Sequence, residues 1–523
     1  LKRQRTASGT VWARRTVQAL FLLLFFFLFL QTEQKGADQL GYPVKLFLDF
    51  DPLLFLTALL SSHALVGAFW LSLATLLLTA LLGRVFCGWI CPLGTLNHLV
   101  GALRKWPARP RLRGWFHLKY LMLVGLLAAA AFGFQWVGVL DPLSLTVRSL
   151  ALGVHPALNA GLNSLLDILY APDGAFFRAV AEGAASFLQR TVLAFQPPRF
   201  AQGALIGAIF LGVLALNLVE RRFWCRYLCP LGALLGLVGR WSLLKRTVSE
   251  GCTSCGLCDH GCQGGASTGE GQGWRPSECV ACFNCGDACP TSSASFGLSE
   301  KPAPDGADLS RRRILLAAAA GAAAVPILRV APSPRDGRPH PLLLRPPGAL
   351  PEEAFLERCV KCGECMKVCT TGGLQPALLE AGLEGLWTPV LVPRIGYCEY
   401  NCTLCGQVCP TGAIEKLPRD EKVKVKIGLA AVDRSRCLPW AHGTPCIVCE
   451  EVCPTPTKAV WFEETTERTR GGAEIHLKRP RVDLDLCIGC GICEAKCPVL
   501  DRPAIYVTST GESRNPDNQL LLQ

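Results

Sequence analysis

The chain has 523 residues, half of them hydrophobic, a mean hydropathy of +0.30 and a formal net charge of +12, which is apolar for a soluble protein and sized for three or four domains. Its 28 cysteines are too sparse for a small disulfide scaffold and too many for an ordinary cytosolic enzyme. The positive charge is banded rather than spread, which argues against a nucleic-acid partner.

Residues 1–15 carry Lys2, Arg3, Arg5, Arg14 and Arg15 with no acid, and 84–119 carry seven Lys/Arg with no acid. The intervening 32–59 holds two basic and four acidic residues. Such alternation is the signature of a multi-spanning membrane protein whose basic loops stay inside. Four apolar stretches, 16–33, 64–83, 120–140 and 201–219, meet or approach the ~17–25 residues of a bilayer crossing. The rule places 1–15, 84–119 and 220 onward in the cytoplasm, with 34–63 and 141–200 on the other side. The first stretch also reads as an uncleaved signal-anchor, with the same topology. We therefore expect an α-helical membrane domain over 1–246.

That domain contains a repeat. Arg84, Phe86, Cys87, Gly88, Trp89, Ile90, Cys91, Pro92, Leu93 and Gly94 recur as Arg222, Trp224, Cys225, Arg226, Tyr227, Leu228, Cys229, Pro230, Leu231 and Gly232. Upstream, Asp51-Pro52-Leu53 has its counterpart in Asp141-Pro142-Leu143, and 144–200 is an insertion in the second unit. Duplicated helical units commonly build a site at their interface. The CxxxCP cysteines Cys87, Cys91, Cys225 and Cys229 sum to the four thiolates of a seventh iron–sulfur site. A thiol/disulfide relay and a structural role stand beside that reading. Ionisable groups near the outer membrane edge are candidate functional residues: Asp51, His63 and Asp141. Against each stands a plainer role, Asp-Pro as a helix start and His63 as an interface marker.

Residues 247–300 hold Cys252, Cys255, Cys258 and Cys262, then Cys279, Cys282, Cys285 and Cys289-Pro290. This is the two-cluster ferredoxin run, in which the fourth cysteine of each motif ligates the other cluster. It assigns Cys252, Cys255, Cys258 and Cys289 to one [4Fe–4S] cluster, and Cys279, Cys282, Cys285 and Cys262 to its partner. Residues 301–352 read as a linker. Within it, Ser310, Arg311, Arg312 and Arg313 precede an Ala-rich run that looks like a twin-arginine export signal or a fifth span, the rival being a helix packed inside a soluble domain. Seven prolines over 330–352 suggest a stiff spacer that holds the last domain away from the membrane.

Residues 353–523 hold four more motifs: Cys359, Cys362, Cys365, Cys369; Cys398, Cys402, Cys405, Cys409; Cys437, Cys446, Cys449, Cys453; and Cys487, Cys490, Cys493, Cys497. Whether fourth cysteines are exchanged between adjacent motifs or in a nested order is open from spacing. Structural zinc uses paired rather than tripled knuckles, and no His has ligand spacing. CxxCH is absent, which removes c-type haem attachment. The expectation is six [4Fe–4S] clusters in small α+β ferredoxin-like modules that depend on their metal to fold.

In order and spacing, the two CxxxCP repeats followed by a double-cluster ferredoxin make residues 1–300 resemble NapH-type membrane ferredoxins of periplasmic nitrate reductase systems, and the membrane half of NosR-type proteins. Residues 310–523 resemble NapG-type ferredoxins through the Ser310–Arg313 run, the LRPPGAL stretch 344–350 and four cluster motifs. The chain departs from both in being a fusion, and in lacking proline after Cys262 and Cys369. The resemblance implies a quinol dehydrogenase module of the bacterial inner membrane, drawing on the quinone pool and feeding a periplasmic reductase or cytochrome acceptor, with Asp51, His63 and Asp141 as the candidate quinone contacts. The four-cluster domain would then be periplasmic. No flavin, nicotinamide or molybdenum motif is evident, so the redox chemistry belongs to quinol and clusters. Two other readings are a conduit from a cytoplasmic donor, and a redox sensor or maturation factor for a partner metalloenzyme.

Overall fold

The computed structural model describes residues 9–33, 38–64, 69–103, 113–171, 175–194, 199–268, 273–298, 310–329, 340–468 and 474–519. Its N-terminal half is helical. Gly9–Leu30 is the one described helix long and apolar enough to cross a membrane by length and composition. The other three predicted stretches form shorter helices, Phe69–Leu82, Leu118–Ala131 and Gly203–Ala215. The apolar run and the helix are different things here. The run at 120–140 is interrupted after Ala131, where Gly133 takes a positive φ of 76°, and resumes as a short turn over Val137–Leu140.

Both repeats have the same local build. Asp51 and Asp141 cap the helices Pro52–Ser62 and Pro142–Ser149, each carboxylate accepting from the backbone N–H groups two and three residues on. Proline at the first helical position suits that start, because its missing N–H would have no helical partner anyway. At the other end, π-helical turns Phe86–Ile90 and Trp224–Leu228 lead into Cys91 and Cys229, which cap Pro92–Ala102 and Pro230–Gly239. The insertion folds as helices His155–Tyr170 and Ala175–Thr191.

The Ala-rich segment is an 18-residue helix, Arg311–Leu328, about 27 Å long at 1.5 Å per residue. It packs along Leu118–Ala131. Their crossing is at Gly125 and Gly321, where a Cβ on Gly321 would run into the Gly125 carbonyl. Small residues at such a crossing let two backbones approach closely.

The ferredoxin units consist of short helices and two-stranded antiparallel sheets. The first begins at Leu244, since Leu244–Val248 pairs with Ala294–Leu298. In the second, Leu374–Pro376 pairs with Pro389–Leu391, Leu429–Val432 with Ile505–Thr508, and a long hairpin joins Val460–Arg468 to Glu474–Val482. The expected spacer ahead of this domain is corrected in part. Positions 330–339 lie outside the described residues, but Leu343, Leu344, Arg345 and Ala349 are buried, and Ala349 bridges to Ile414. Among the described prolines, Pro346 and Pro347 form part of a wall inside the domain.

Nor is the last domain held off the N-terminal helical half. Arg148, fully buried, donates to the carbonyls of Gly138 (3.0 Å), Val139 (3.1 Å) and Lys361 (2.8 Å), and Ser61 donates to the Glu357 carbonyl. The first ferredoxin unit docks elsewhere. Arg84 donates to the Ser277 carbonyl at 3.0 Å, Trp89 to that of Ala281 at 2.9 Å, and Arg226 to those of Gln263 and Cys262 at 3.0 Å. The two units therefore sit at opposite ends of Leu118–Ala131. Lys119 and Tyr120 at its start meet Glu278, whereas Gln135, just past its end, accepts from Lys361.

Candidate iron–sulfur sites

The four motifs of the last domain line four separate cavities. One is lined by Cys359, Cys362, Cys365 and Cys409, a second by Cys398, Cys402, Cys405 and Cys369. The others hold Cys437, Cys446, Cys449 with Cys497, and Cys487, Cys490, Cys493 with Cys453. Exchange is thus between adjacent motifs, which resolves the alternative left open by spacing. Pro346 and Pro347, from the supposed spacer, wall the second cavity.

The donor set fits a cubane cluster. Each cavity offers three thiols from one loop and one from across, and the remaining wall is apolar. While hydrogen bonds from Thr455, Val460 and Ala459 outweigh burial and hold Cys453 down, burial, with repulsion from neighbouring thiols, pushes several of the others up, to about 11 for Cys402 and Cys437 and about 12 for Cys449 and Cys490. Such thiols stay protonated at neutral pH unless a metal ion takes the place of the proton. Among the described residues, no three His, Cys, Asp or Glu side chains are placed to hold a single metal ion, so the cysteines surround a volume rather than a point. The loop after the fourth cysteine folds back to donate to its sulfur: Ile414 N–H to Cys409 Sγ and Ala504 N–H to Cys497 Sγ, both at 3.4 Å. Hydrogen bonds to cluster sulfurs set potentials.

A further feature escaped sequence reasoning. Threonine follows the fourth cysteine by two positions at Thr291, Thr371, Thr411 and Thr455, with its hydroxyl 3.6, 3.7, 4.0 and 3.3 Å from the sulfur. The signal was present as Cys-x-Thr.

In the first ferredoxin unit, Cys262 joins Cys279, Cys282 and Cys285, as the spacing predicts, since these thiols act on one another. Cys255 is exposed, and Cys252, Cys258 and Cys289 are half-buried. The unit rests on the CxxxCP turns, where a Cβ on Gly88 would run into the Val280 carbonyl. Cys91 lies close enough to Cys87 and Cys225 to feel their charge, and Cys229 likewise feels Cys225, Cys87 and Cys91. The two repeats therefore bring their four cysteines together. Arg84 and Arg222 flank them, and Arg222 donates to the carbonyls of Cys87 (3.4 Å) and Gly94 (3.0 Å).

Of the three predicted quinone contacts, the structure joins two. Asp51 and Asp141 are fully buried and close enough for each carboxyl to act on the other. His63 is not with them. It is exposed, ends the Pro52–Ser62 helix in a left-handed conformation, and faces Glu357. A histidine following an apolar helix is placed there by helix termination.

Two models of 4Fe-4S binding domains match the chain, one at 63–110 and again at 202–249, the other at 480–500. The methylamine utilization ferredoxin-type protein MauM of Methylorubrum extorquens is 38% identical over 182 residues, 33% of this chain and 78% of the relative. The ferredoxin-type protein NapG of Escherichia coli is 40% identical over 167 residues, 31% of this chain and 69% of the relative. The chain belongs to this family of ferredoxin-type proteins. It is an iron–sulfur electron-transfer protein. YccM of Escherichia coli, named for electron transport, is 31% identical over 255 residues, which is 46% of this chain and 58% of the relative. No solved structure matches.

Proposed function

We propose that the chain is a multi-span quinol dehydrogenase of the bacterial cytoplasmic membrane, carrying six [4Fe–4S] clusters. Two would be held at the cytoplasmic face by Cys252, Cys255, Cys258 and Cys289 and by Cys279, Cys282, Cys285 and Cys262. Four would be held in the periplasmic domain by the cavity cysteines above. Electrons taken from quinol leave through that domain to a periplasmic reductase or cytochrome. The clusters supply one-electron carriers when bound; the chain orients them, shields them from water and sets their hydrogen bonds.

The supporting observation is that two ferredoxin units are docked at opposite ends of one duplicated helical unit, with cluster loops pressed against both repeats. The helix Arg311–Leu328 fits a retained fifth crossing, because its Gly321 is packed on Gly125 and Arg329 at its end pairs with Glu384 at 3.3 Å. We read Cys87, Cys91, Cys225 and Cys229 as a seventh iron–sulfur site between the units, in keeping with the domain matches that cover them. The same arrangement favours, as a second reading, a conduit in which a cytoplasmic donor loads the inner unit.

The test is anaerobic. A menaquinol analogue is added to the oxidised, detergent-purified protein, and the broad visible iron–sulfur absorbance is followed. Prompt bleaching supports quinol as donor. Bleaching by dithionite but not by quinol refutes it and moves the donor to the cytoplasmic side.

A further inference from the structure

Both ferredoxin units meet the helical half through the same part of a cluster loop. In the first, the carbonyl of Val280, directly after Cys279, lies where a Cβ on Gly88 would stand, and the next carbonyl, that of Ala281, accepts from the Trp89 indole at 2.9 Å. In the last domain, the carbonyl of Val360, directly after Cys359, lies where a Cβ on Gly138 would stand, and the next carbonyl, that of Lys361, accepts from Arg148 at 2.8 Å. Glycine is needed at both seats because the two backbones touch there. A neutral indole suffices to hold such a loop, so docking alone does not explain a guanidinium at the second seat.

Arg148 is fully buried, and burying a cation is costly unless it is paired. Its N–H groups go to the carbonyls of Gly138, Val139 and Lys361, and among the described residues it makes no ion pair. What it faces is the first outer cluster site. The guanidinium lies over the Trp387 ring, 4.6 Å from its centre, and Trp387 lines the cavity of Cys359, Cys362, Cys365 and Cys409. The Arg148 Cα would stand 3.3 Å from a Cβ on Gly363. Its backbone is thus on one side of Cys362 and its guanidinium on the other. Two more cations join the same loop to the helical half. Lys361, also buried, donates to the Gln135 carbonyl, and Lys45 donates to the carbonyl of Cys409 at 3.2 Å. A cluster with four thiolates is anionic and gains a further negative charge with each electron, so charge brought to its wall bears on its potential.

We propose that Arg148 is a positioning residue for electron transfer: it fastens the Cys359–Cys365 loop to the helical half and, by laying a buried positive charge on Trp387 at the cavity wall, raises the reduction potential of the cluster in that site. The inference rests on the reading that Cys359, Cys362, Cys365 and Cys409 hold a [4Fe–4S] cluster, and not on the identity of the donor. Docking and reduction then favour each other, because a contact that strengthens electron binding is itself strengthened, by the same factor, when the electron is bound.

The experiment is a redox titration of the full-length, cluster-loaded protein in detergent, with dithionite as reductant and the reduced clusters followed by electron paramagnetic resonance. The component of this site is the one missing from C362S. In R148Q the reduction equilibrium of that component is expected to shift by roughly tenfold toward the oxidised form, a fall of about 59 mV for one electron, while R148K, which keeps the charge, falls less. Gly138→Ala removes no charge, but its Cβ must push Val360 away. Amides of 359–363 should exchange faster in G138A, and the same component should fall. In the wild type those amides should exchange more slowly when the protein is reduced. Unchanged potentials in R148Q overturn the proposal, as does a fall in R148K equal to that in R148Q. Faster exchange in G138A with an unchanged potential overturns the coupling, and unchanged exchange there overturns the seating of the loop. If R148Q does not load this cluster, G138A decides by the same two readings. A C362S protein with wild-type iron and spectrum refutes the cluster assignment itself, which separates that failure from a failure of Arg148.

Discussion

Glu278 is the residue on which docking of the first ferredoxin unit most depends. It is buried between the unit and the N-terminal helical half, and its carboxylate meets three partners from the other side: Lys119, the Tyr120 hydroxyl at 2.8 Å and Arg84 at 3.4 Å. Lys119 and Arg84 are themselves 0% and 2% exposed, so Glu278→Ala removes the carboxylate that two buried cations share and the acceptor of a buried phenol. Removing one partner of a buried ion pair costs about 3–5 kcal/mol, and the lost hydrogen bond to a charged acceptor adds about 1.5–3 kcal/mol. At 1.4 kcal/mol per tenfold, docking weakens by about three to six orders of magnitude. Glu278→Gln keeps an acceptor for Tyr120 and is expected to fall between the two. Hydrogen exchange reads the outcome. Amides of Leu244–Val248 and Ala294–Leu298 should exchange faster in E278A, while those of the last domain should not change. Wild-type protection of both strands in E278A would refute the argument, since it would mean that the cations are compensated elsewhere.

Exchange of ligands between adjacent motifs predicts that C369S/C405S loses one cluster's iron, because both cysteines line one cavity, whereas C365S/C405S loses two; equal losses in iron analysis would contradict the pairing. Thr455→Val removes a hydroxyl 3.3 Å from Cys453 Sγ, and since a hydroxyl donor favours the more negative, reduced cluster, that site's potential should fall by some tens of millivolts in a redox titration. Glu352 accepts from Arg345 (2.5 Å) and Arg514 (2.7 Å), which hold it down to about 2. Its contribution is fully present above the unfolded value near 4.3 and lost as pH falls through about 2. Glu352→Gln should therefore destabilise the last domain by about 1–2 kcal/mol, with the same gap in thermal melts from pH 8 to pH 5. Gly321→Leu should force the Arg311–Leu328 helix off Leu118–Ala131 and cost about 1–3 kcal/mol or more in the melting of the detergent-purified protein; an unchanged melt would mean that the crossing bears no load.

Local rules carried the reading of the cysteines. Two-residue gaps and Cys-Pro ends fix how a loop wraps a cluster, and that geometry is complete within a dozen residues. The pairing in the last domain was illegible because adjacent and nested exchange use identical loops. Packing decides it, for example where Thr371 donates to the Tyr397 carbonyl and Thr411 to that of Arg358. Composition misread Pro346 and Pro347, since an extended proline segment is the same whether it spans solvent or walls a cavity. Glu278 gave no signal at all, being one acid among 41 Asp and Glu. Its importance comes from partners more than 150 residues away in sequence.

The repeat explains why a single local device serves at two places with different chemistry. Asp51, Asp141, Cys91 and Cys229 are all helix caps followed by proline, and each accepts from backbone N–H groups of the helix it starts. At both places two helix N-termini converge on a pair of acidic groups, which the positive ends of the helices favour in anionic form. What differs is the added charge. Arg84 and Arg222 stand beside the cysteines, where they compensate negative sulfur. At the aspartates, Arg148 is largely spent on three carbonyls. One duplicated motif thus yields a cysteine group with two arginines beside it and a carboxyl pair whose neighbouring arginine is turned to backbone carbonyls.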